Sequence, residues 1–189
     1  MSRALPSLLA TGLLAISGTA SRAAEPPALP SNSLYQLEVK LIDQDGRAVG
    51  LDAHRGHPVL VTMFYASCPA VCPMLIDTLR ATEKQLDPAT RANLRVLMIS
   101  IDPERDTAEA LHRLAGTRHI DTRRWTLAHA DAADVRTIAA LLNVQYRQLP
   151  GGEFNHSTII TLLSPQGVIQ TSSTKLGTPD PALVAKLGP

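Results

Sequence analysis

The sequence predicts an α/β fold with a mixed central β-sheet flanked by helices, and two observations predict it. The runs VLVTMFY (59–65) and LRVLMISI (94–101) are almost continuously apolar, which is typical of parallel strands covered on both faces. Helical patterns alternate with these strands before the chain finishes in a hairpin and a helix. With 189 residues, 44% of them hydrophobic, the chain has the material for one globular domain.

The first 23 residues resemble a secretory signal peptide. Arg3 gives a positive start, an uncharged apolar run follows from residue 4 to 21, and Ser21-Arg22-Ala23 offers small residues at a cleavage site. The alternative is a membrane anchor that is never cleaved, for which the run is barely long enough. Either interpretation places the folded part outside the cytoplasm, and we expect it in the periplasm.

Residues 24–33 form a proline-rich linker, and residues 34–189 are expected to form the single domain. Within it, period-two alternation predicts a first strand over Leu37–Leu41, followed by a turn at 43–46. An apolar stripe at helical spacing from Cys72 to Leu79 predicts a helix that Asp87-Pro88 closes. The remaining predicted elements are helices over 107–115 and 131–142, strands over 125–128 and 157–163, a strand from 168, and a short helix after Pro179.

Charge and motif content exclude several functions. Lys and Arg total 18 against 17 Asp and Glu, a balance that gives no electrostatic footprint for nucleic acid or an anionic membrane surface. Any membrane association is therefore expected only through the N-terminal segment. Aromatic residues make up 3% of the chain, too few for base-stacking platforms. The sequence also lacks the motifs of nucleotide-binding proteins, zinc proteases and serine hydrolases.

The chemistry concentrates at Cys68 and Cys72, the two cysteines of the chain. They stand four positions apart where a buried strand gives way to a helix, a spacing compatible with a disulfide. The helix dipole is expected to favour the thiolate there. Three interpretations stay open: a structural disulfide, a redox-active dithiol, and a soft-metal site that needs one further ligand.

Six histidines are available as a third ligand. Five of them lie in polar loops, on a charged helix or at a strand end, where a solvated or structural role is the simpler interpretation. His156 differs because it directly precedes the predicted strand over 157–163, which would hold it at the end of the sheet. Its position alone does not separate a ligand from a hydrogen-bonded structural residue.

Three segments together resemble the motifs of the Sco/SenC family, which assists assembly of cytochrome c oxidase. They are CPAVCP (68–73), SIDPERDT (100–107) and FNHS (154–157), in the family's order and spacing. The resemblance covers residues 34–187 and implies a thioredoxin-like fold. It also implies that Cys68, Cys72 and His156 bind copper, as Cu(I) or Cu(II), and that the copper passes towards the dinuclear CuA centre of the oxidase.

The resemblance leaves two functions open. As a copper metallochaperone, the protein would need all three ligands and would act, as a monomer, on the CuA subunit of the oxidase or on another periplasmic copper chaperone. As a thiol:disulfide oxidoreductase, it would use Cys68 as the attacking thiolate and Cys72 as the resolving thiol, with no need for His156. Whether the protein is an enzyme is therefore left undecided by the sequence.

Several neighbouring residues complete the predicted site. Asp102 either orients a ligand or a partner near the copper, as in the family, or pairs locally with Arg105. Asp106 or Thr107 is expected to cap the following helix. Family members usually carry acidic residues where this chain has Ala70 and Asn155. The loss of two carboxylates leads to the hypothesis that this protein favours Cu(I) or plain dithiol chemistry over Cu(II).

Overall fold

The computed structural model describes residues 28–68 and 71–188. The predicted signal peptide and the first part of the linker lie outside these residues, as do Pro69 and Ala70. The described chain folds as a mixed sheet flanked by helices, so the predicted α/β class is confirmed. The strands are β1 (Leu41–Asp43), β2 (Ala48–Val49), β3 (Val59–Phe64), β4 (Arg95–Ser100), β5 (Trp125–His129), β6 (Tyr146–Gln148), β7 (Phe154–His156), β8 (Ile160–Leu163) and β9 (Ile169–Ser173).

Seven strands form one sheet in the order β2-β1-β5-β4-β3-β8-β9. The central strands β3, β4 and β5 are parallel, and β8 and β1 join them antiparallel on either side. Every residue of β3 is buried, as expected for an apolar strand at the middle of a covered sheet. Strands β6 and β7 form a separate two-stranded hairpin.

Five α-helices accompany the strands in the described chain, and the starts of α2 to α5 follow from local capping. Asp87, Thr107, Asp131 and Asp180 each accept a backbone N–H of the first turn that follows. No helix of residues 28–68 and 71–188 is long and apolar enough to cross a membrane. The helices are α1 (Val71–Lys84), α2 (Pro88–Asn93), α3 (Ala108–Thr117), α4 (Ala132–Leu141) and α5 (Pro181–Leu187).

Three sequence predictions differ from the structure. The strand predicted over Leu37–Leu41 is wrong: residues 34–36 form a 3₁₀ helix and β1 begins only at Leu41, although Val39 and Leu41 are buried as the alternation predicted. Asp87-Pro88 does not simply close a helix but starts α2, since Asp87 caps it. The strand predicted over 157–163 is shorter in the structure, where β8 begins at Ile160.

Because β3, β4 and β5 are parallel, all three start at one end of the sheet and finish at the other, and we call these two ends its lower and upper edges. Val59, Arg95 and Trp125 begin β3, β4 and β5 at the lower edge. The carboxyl ends of β3 and β4 lie at the opposite, upper edge, where Ile101 N–H donates to the Phe64 carbonyl at 2.8 Å. The chain continues from β3 directly into the cysteine segment, so the cysteines belong to the upper edge, the usual place for function in such sheets.

We predict that His54 makes the fold acid-sensitive. Its Nε2 lies 3.0 Å from Thr126 Oγ1, and burial, followed by the charges of Arg95 and His57, lowers its pKa from 6.5 to about 4. The neutral form is therefore favoured in the fold, and the stability that this contributes is present above pH 6.5 and lost as the pH falls through 4. The free energy of unfolding should drop by roughly 1–2 kcal/mol more in the native chain than in His54→Gln over that interval.

Urea unfolding at pH 7, 5.5 and 4 measures this difference. His112→Gln is the matched control, because the His112 side chain is 69% exposed on α3. A native-minus-His54→Gln difference that stays constant with pH would contradict the assignment.

Candidate metal centre

The cysteine segment leaves the sheet through Tyr65, which is buried just beyond β3. Cys68 donates its backbone N–H to the Tyr65 carbonyl at 3.2 Å, so the chain turns back on itself before the helix. Cys72 lies in the first turn of α1, whereas Cys68 precedes the helix. Both cysteines are buried and reduced, with 8% of Cys68 and 3% of Cys72 exposed.

A buried carboxylate fixes this turn against the neighbouring strand. Asp106 Oδ2 accepts the Ala66 backbone N–H at 2.8 Å and the Ser100 hydroxyl at 2.6 Å. The helix cap that the sequence assigned to Asp106 or Thr107 belongs to Thr107, whose hydroxyl accepts the Ala110 N–H. Burial is the main cause that raises the pKa of Asp106. Asp106 is therefore an anchor of the cysteine segment.

The environment of Cys72 opposes its ionisation. Burial raises the pKa of the thiol well above its ordinary value, the charges of Cys68 and Asp106 raise it further, and a backbone hydrogen bond from Tyr65 lowers it only in part. Desolvation therefore destabilises the Cys72 thiolate by more than the helix dipole stabilises it. At neutral pH Cys72 keeps its proton, and a metal must displace it on binding.

His156 lies on the β6–β7 hairpin and not at the start of a strand of the main sheet, which corrects its predicted placement. In the hairpin it pairs with Tyr146. Its Nδ1 lies 3.1 Å from the Ser157 carbonyl and donates to it in the neutral ring. Burial lowers the pKa of His156, which favours that neutral form. Nε2 then carries the lone pair, the arrangement found in metal-binding histidines.

Tyr65 connects the two halves of the site. Its ring centroid lies 5.4 Å from that of Phe154 and 5.8 Å from that of His156, the latter in an edge-on arrangement. The same residue hydrogen-bonds the cysteine segment through its backbone. Burial is the first cause that raises the pKa of the Tyr65 phenol, followed by its hydrogen bond with Cys68.

The structure brings Cys68 and Cys72 together and packs His156 against the Tyr65 ring, which itself contacts Cys68. Among residues 28–68 and 71–188, no three His, Cys, Asp or Glu side chains lie close enough together to hold a metal ion. The donor types nevertheless fit a soft metal, since two thiols and a neutral imidazole are ligands that copper accepts. Closing the three-ligand set would need His156 to approach the thiols.

Asp102 adopts the local role. Its carboxylate pairs with the Arg105 guanidinium, and its backbone N–H donates to Ser100 Oγ at 2.9 Å. Arg105 then extends the contact, because it also donates to the Gly152 carbonyl and lies over the Phe154 ring at 5.9 Å from the centroid. Gly152 has a φ of +82°, and a Cβ there would lie 3.2 Å from Arg105. Asp102 thus orients the Arg105 guanidinium, which in turn contacts the β6–β7 hairpin.

The site roles of Tyr65, Arg105 and Asp106 are absent from the sequence analysis. Arg105 reaches 47 residues along the chain to Gly152, and Asp106 reaches 40 residues to Ala66. No local spacing signals such contacts. The one signal in the sequence is the density of charge in SIDPERDT, which indicates local pairing and helix capping but not these distant partners.

Comparison with known proteins settles the family. The family model described as SCO1/SenC matches residues 28–187. The chain belongs to the SCO1/SenC family. The three motifs that carried the resemblance all lie inside this match, and the Sco/SenC prediction is confirmed.

Curated relatives are moderately similar. The chain is 29% identical over 147 residues to "Protein SCO2 homolog, mitochondrial" of Bos taurus, covering 75% of this chain and 54% of that protein. It thus spans about half the length of the bovine relative. "SCO1 protein homolog" of Bacillus subtilis is 24% identical over 130 residues, 67% of each chain.

Solved structures confirm the thioredoxin-like fold. Arabidopsis thaliana ScoI with copper bound aligns with a TM-score of 0.66 and 22% identity, covering 79% of this chain and 90% of that one. Bradyrhizobium japonicum ScoI with copper bound aligns with a TM-score of 0.65 and 21% identity, covering 79% and 94%. Both of these relatives bind copper.

We predict that Arg105→Gln loosens the hairpin that carries His156. The substitution removes the ion pair with Asp102 and the donor to Gly152, and charged hydrogen bonds of this kind contribute about 1.5–3 kcal/mol. Amide hydrogen exchange at residues 154–156 should accelerate at least tenfold, as measured by NMR. Arg113→Gln removes an exposed pair with Glu109 on α3 and serves as the control. Equal exchange in the two variants would show that Arg105 does not hold the hairpin.

Proposed function

We propose that this protein is a periplasmic copper metallochaperone that binds one copper ion through Cys68, Cys72 and His156 and assists assembly of the CuA centre of cytochrome c oxidase. The observation that carries the proposal is a pair of buried reduced thiols together with a histidine whose Nδ1 donates to the Ser157 carbonyl, which leaves its Nε2 for a metal. A structural relative, BsSco, is described as a member of the Sco family of cytochrome c oxidase assembly proteins. Copper is here the cargo and not a resident cofactor.

The donor set favours Cu(I). Thiolates are soft ligands that select Cu(I), and one imidazole completes a three-ligand site. Because Cys72 is protonated in the free protein, copper binding replaces its proton, and the buried site then excludes water from the metal. Burial disfavours the free thiolate because a buried charge is costly. For the same reason a buried site favours a complex in which the metal offsets the thiolate charge.

Delivery of copper requires a ligand that can bind the metal and then dissociate from it, and His156 suits this role. It sits on a hairpin that pairs only with itself, outside the seven-stranded sheet. The hairpin meets the cysteine segment through Tyr65, Phe154 and Arg105 side chains. We propose that copper draws His156 towards the thiols and that partner binding to this end releases it.

We predict one tightly bound Cu(I) per chain in the reduced protein. Cys72→Ala should abolish tight binding, because a thiolate ligand is lost, and His156→Ala should weaken it by at least tenfold. Competition with a chromogenic Cu(I) chelator measures both. His129→Ala is the matched control, since His129 ends β5 and is not a proposed ligand. Tight binding that is indifferent to His156 would contradict the three-ligand site.

The adjacency of the cysteines also supports a second function, thiol:disulfide exchange. Cys68 and Cys72 share a side-chain hydrogen bond, so they can close a disulfide as they reduce one in a partner. In this function Cys68 attacks and Cys72 resolves, and His156→Ala leaves the exchange rate unchanged. Turnover of a disulfide substrate by native and His156→Ala chains distinguishes it from copper delivery.

We predict that added carboxylates raise the affinity for Cu(II). Asn155 is exposed next to His156 on β7, and Ala70 stands between the cysteines in sequence. Ala70→Asp with Asn155→Asp should strengthen Cu(II) binding several-fold relative to the native chain, because the added negative charge favours the divalent ion. Titration followed by electron paramagnetic resonance measures it. Asn143→Asp adds a charge at the exposed end of α4 as control, and no gain in the double variant would sink the Cu(I)-preference hypothesis.

We propose that the protein acts in the periplasm as a monomer, on the CuA subunit of the oxidase or on another copper chaperone. The signal-like residues 1–23 support export, whether they are removed or kept as an anchor. Fractionation of cells that produce the full chain tests the location: recovery of the protein in the cytoplasm would contradict it.

A further inference from the structure

A groove at the lower edge of the sheet is lined by four arginines. It lies between the end of α2, the start of β4 and the segment that precedes β5. A single carboxylate, that of Asp121, lines it among the described residues. The lining is Pro88, Arg91, Ala92, Arg95, Asp121, Arg123 and Arg124.

Two of these arginines have no acidic partner in the part of the chain that the structure describes. The Arg91 guanidinium donates to the Glu83 and Leu86 backbone carbonyls, at 2.9 Å each. The Arg95 guanidinium donates to the Ala92 and Leu94 carbonyls, at 2.9 and 3.0 Å. Neutral carbonyls orient these guanidinium groups without cancelling their charge, apart from the partial charge at the end of α2.

The other two arginines share Asp121, and one of them is built into the core. Arg124 Nη1 lies 2.6 Å from Oε1 of Glu83, and the Trp125 indole N–H donates to the same oxygen at 3.1 Å. Glu83 is buried, so Arg124 is held at the floor of the groove by a buried ion pair. Arg123, whose side chain is 89% exposed, pairs with Asp121 at the rim. The groove is therefore preorganised and carries excess positive charge.

The groove lies at the same end of the sheet as the segment that leads into the domain from the N-terminus, and this position indicates what the groove binds. Residues 30–34 attach to the β8–β9 turn, where Leu34 N–H donates to the Gly167 carbonyl at 2.9 Å. Leu163, which begins that turn, pairs with Val59 at the lower edge of the sheet. The segment leading to the apolar N-terminus thus enters at the same edge as the arginines, and the cysteines lie at the opposite edge.

We propose that the arginine groove binds phosphate-class anions and that their source is the headgroup phosphate of an anionic phospholipid surface. Arg guanidinium groups bind phosphoryl oxygens through paired N–H donors, and the groove offers several such groups at fixed positions. Seated on the membrane through the lower edge, the molecule holds the upper edge, which carries Cys68 and Cys72, away from the lipid and on the side where a partner can approach. This orientation concerns the lower edge alone and does not depend on which metal the cysteines bind.

Vesicle partitioning of the full chain tests the proposal. The partition coefficient is measured for phosphatidylglycerol vesicles and for phosphatidylcholine vesicles, in the native chain and in Arg95→Gln/Arg123→Gln. An arginine next to an anionic bilayer contributes about 1 kcal/mol, or about fivefold. The double variant should therefore lose about 25-fold of the preference for phosphatidylglycerol. The N-terminal segment is unchanged in every variant, so its own affinity for lipid cancels in the comparison.

Arg113→Gln/Arg136→Gln is the matched control, since it removes two positive charges from exposed positions on α3 and α4. The control should keep the native preference, and equal losses in both double variants would overturn the proposal. Arg123→Glu alone covers the case in which the groove variant fails to fold, because Arg123 contacts only the exposed rim. It should lower the preference by at least fivefold.

A third experiment distinguishes free phosphate from phospholipid as the ligand of the groove. Inorganic phosphate is titrated into the native chain and the groove variant, with the unfolding temperature as the readout. A saturable rise in the native chain alone, combined with an unchanged lipid preference in the groove variant, would overturn the phospholipid source. Release of the native chain from phosphatidylglycerol vesicles by added phosphate, with the variant unaffected, would support a shared site.

Discussion

The buried carboxylate of Asp106 is the contact on which the rest of the site depends. It joins the end of β4 to the chain just beyond β3 by accepting from Ser100 and from Ala66. A carboxylate buried in this way is costly unless its hydrogen bonds are satisfied, and here both donors are fixed by parallel strands. Because Ala66 is held, the turn at Tyr65 and Cys68 follows, and α1 begins where it places Cys72.

The site is assembled from two parts with different mechanical support. The cysteine segment is continuous with the most buried strand of the sheet, whereas His156 belongs to a small hairpin outside it. Tyr65 and Arg105 join the parts by ring contacts and one ion-paired guanidinium. A dithiol beside the sheet and a separately held histidine suit the proposed delivery of copper, since only the histidine would have to move.

The distribution of charge differs between the upper and lower edges of the sheet. The upper edge presents buried thiols, a neutral histidine and an arginine neutralised by Asp102. The lower edge concentrates four arginines around one carboxylate, supported by the buried Glu83. A chain with 18 basic and 17 acidic residues has no net footprint, yet folding gathers four of its arginines around one groove. Composition therefore describes the sum of the charges and not the surface that a partner or a membrane meets.

The sequence by itself determined the α/β class, most helices and the central strands, because long apolar runs and helical stripes report burial directly. Its three motifs also identified the family. It misplaced β1, a three-residue strand that pairs with β5 far along the chain, and it did not predict the β6–β7 hairpin, whose two strands are also only three residues long. Only the tertiary structure decided that Arg105 reaches Gly152, that Asp106 anchors Ala66, and that Cys72 keeps its proton. Each of these depends on long-range proximity or on burial, which local residue spacing does not encode.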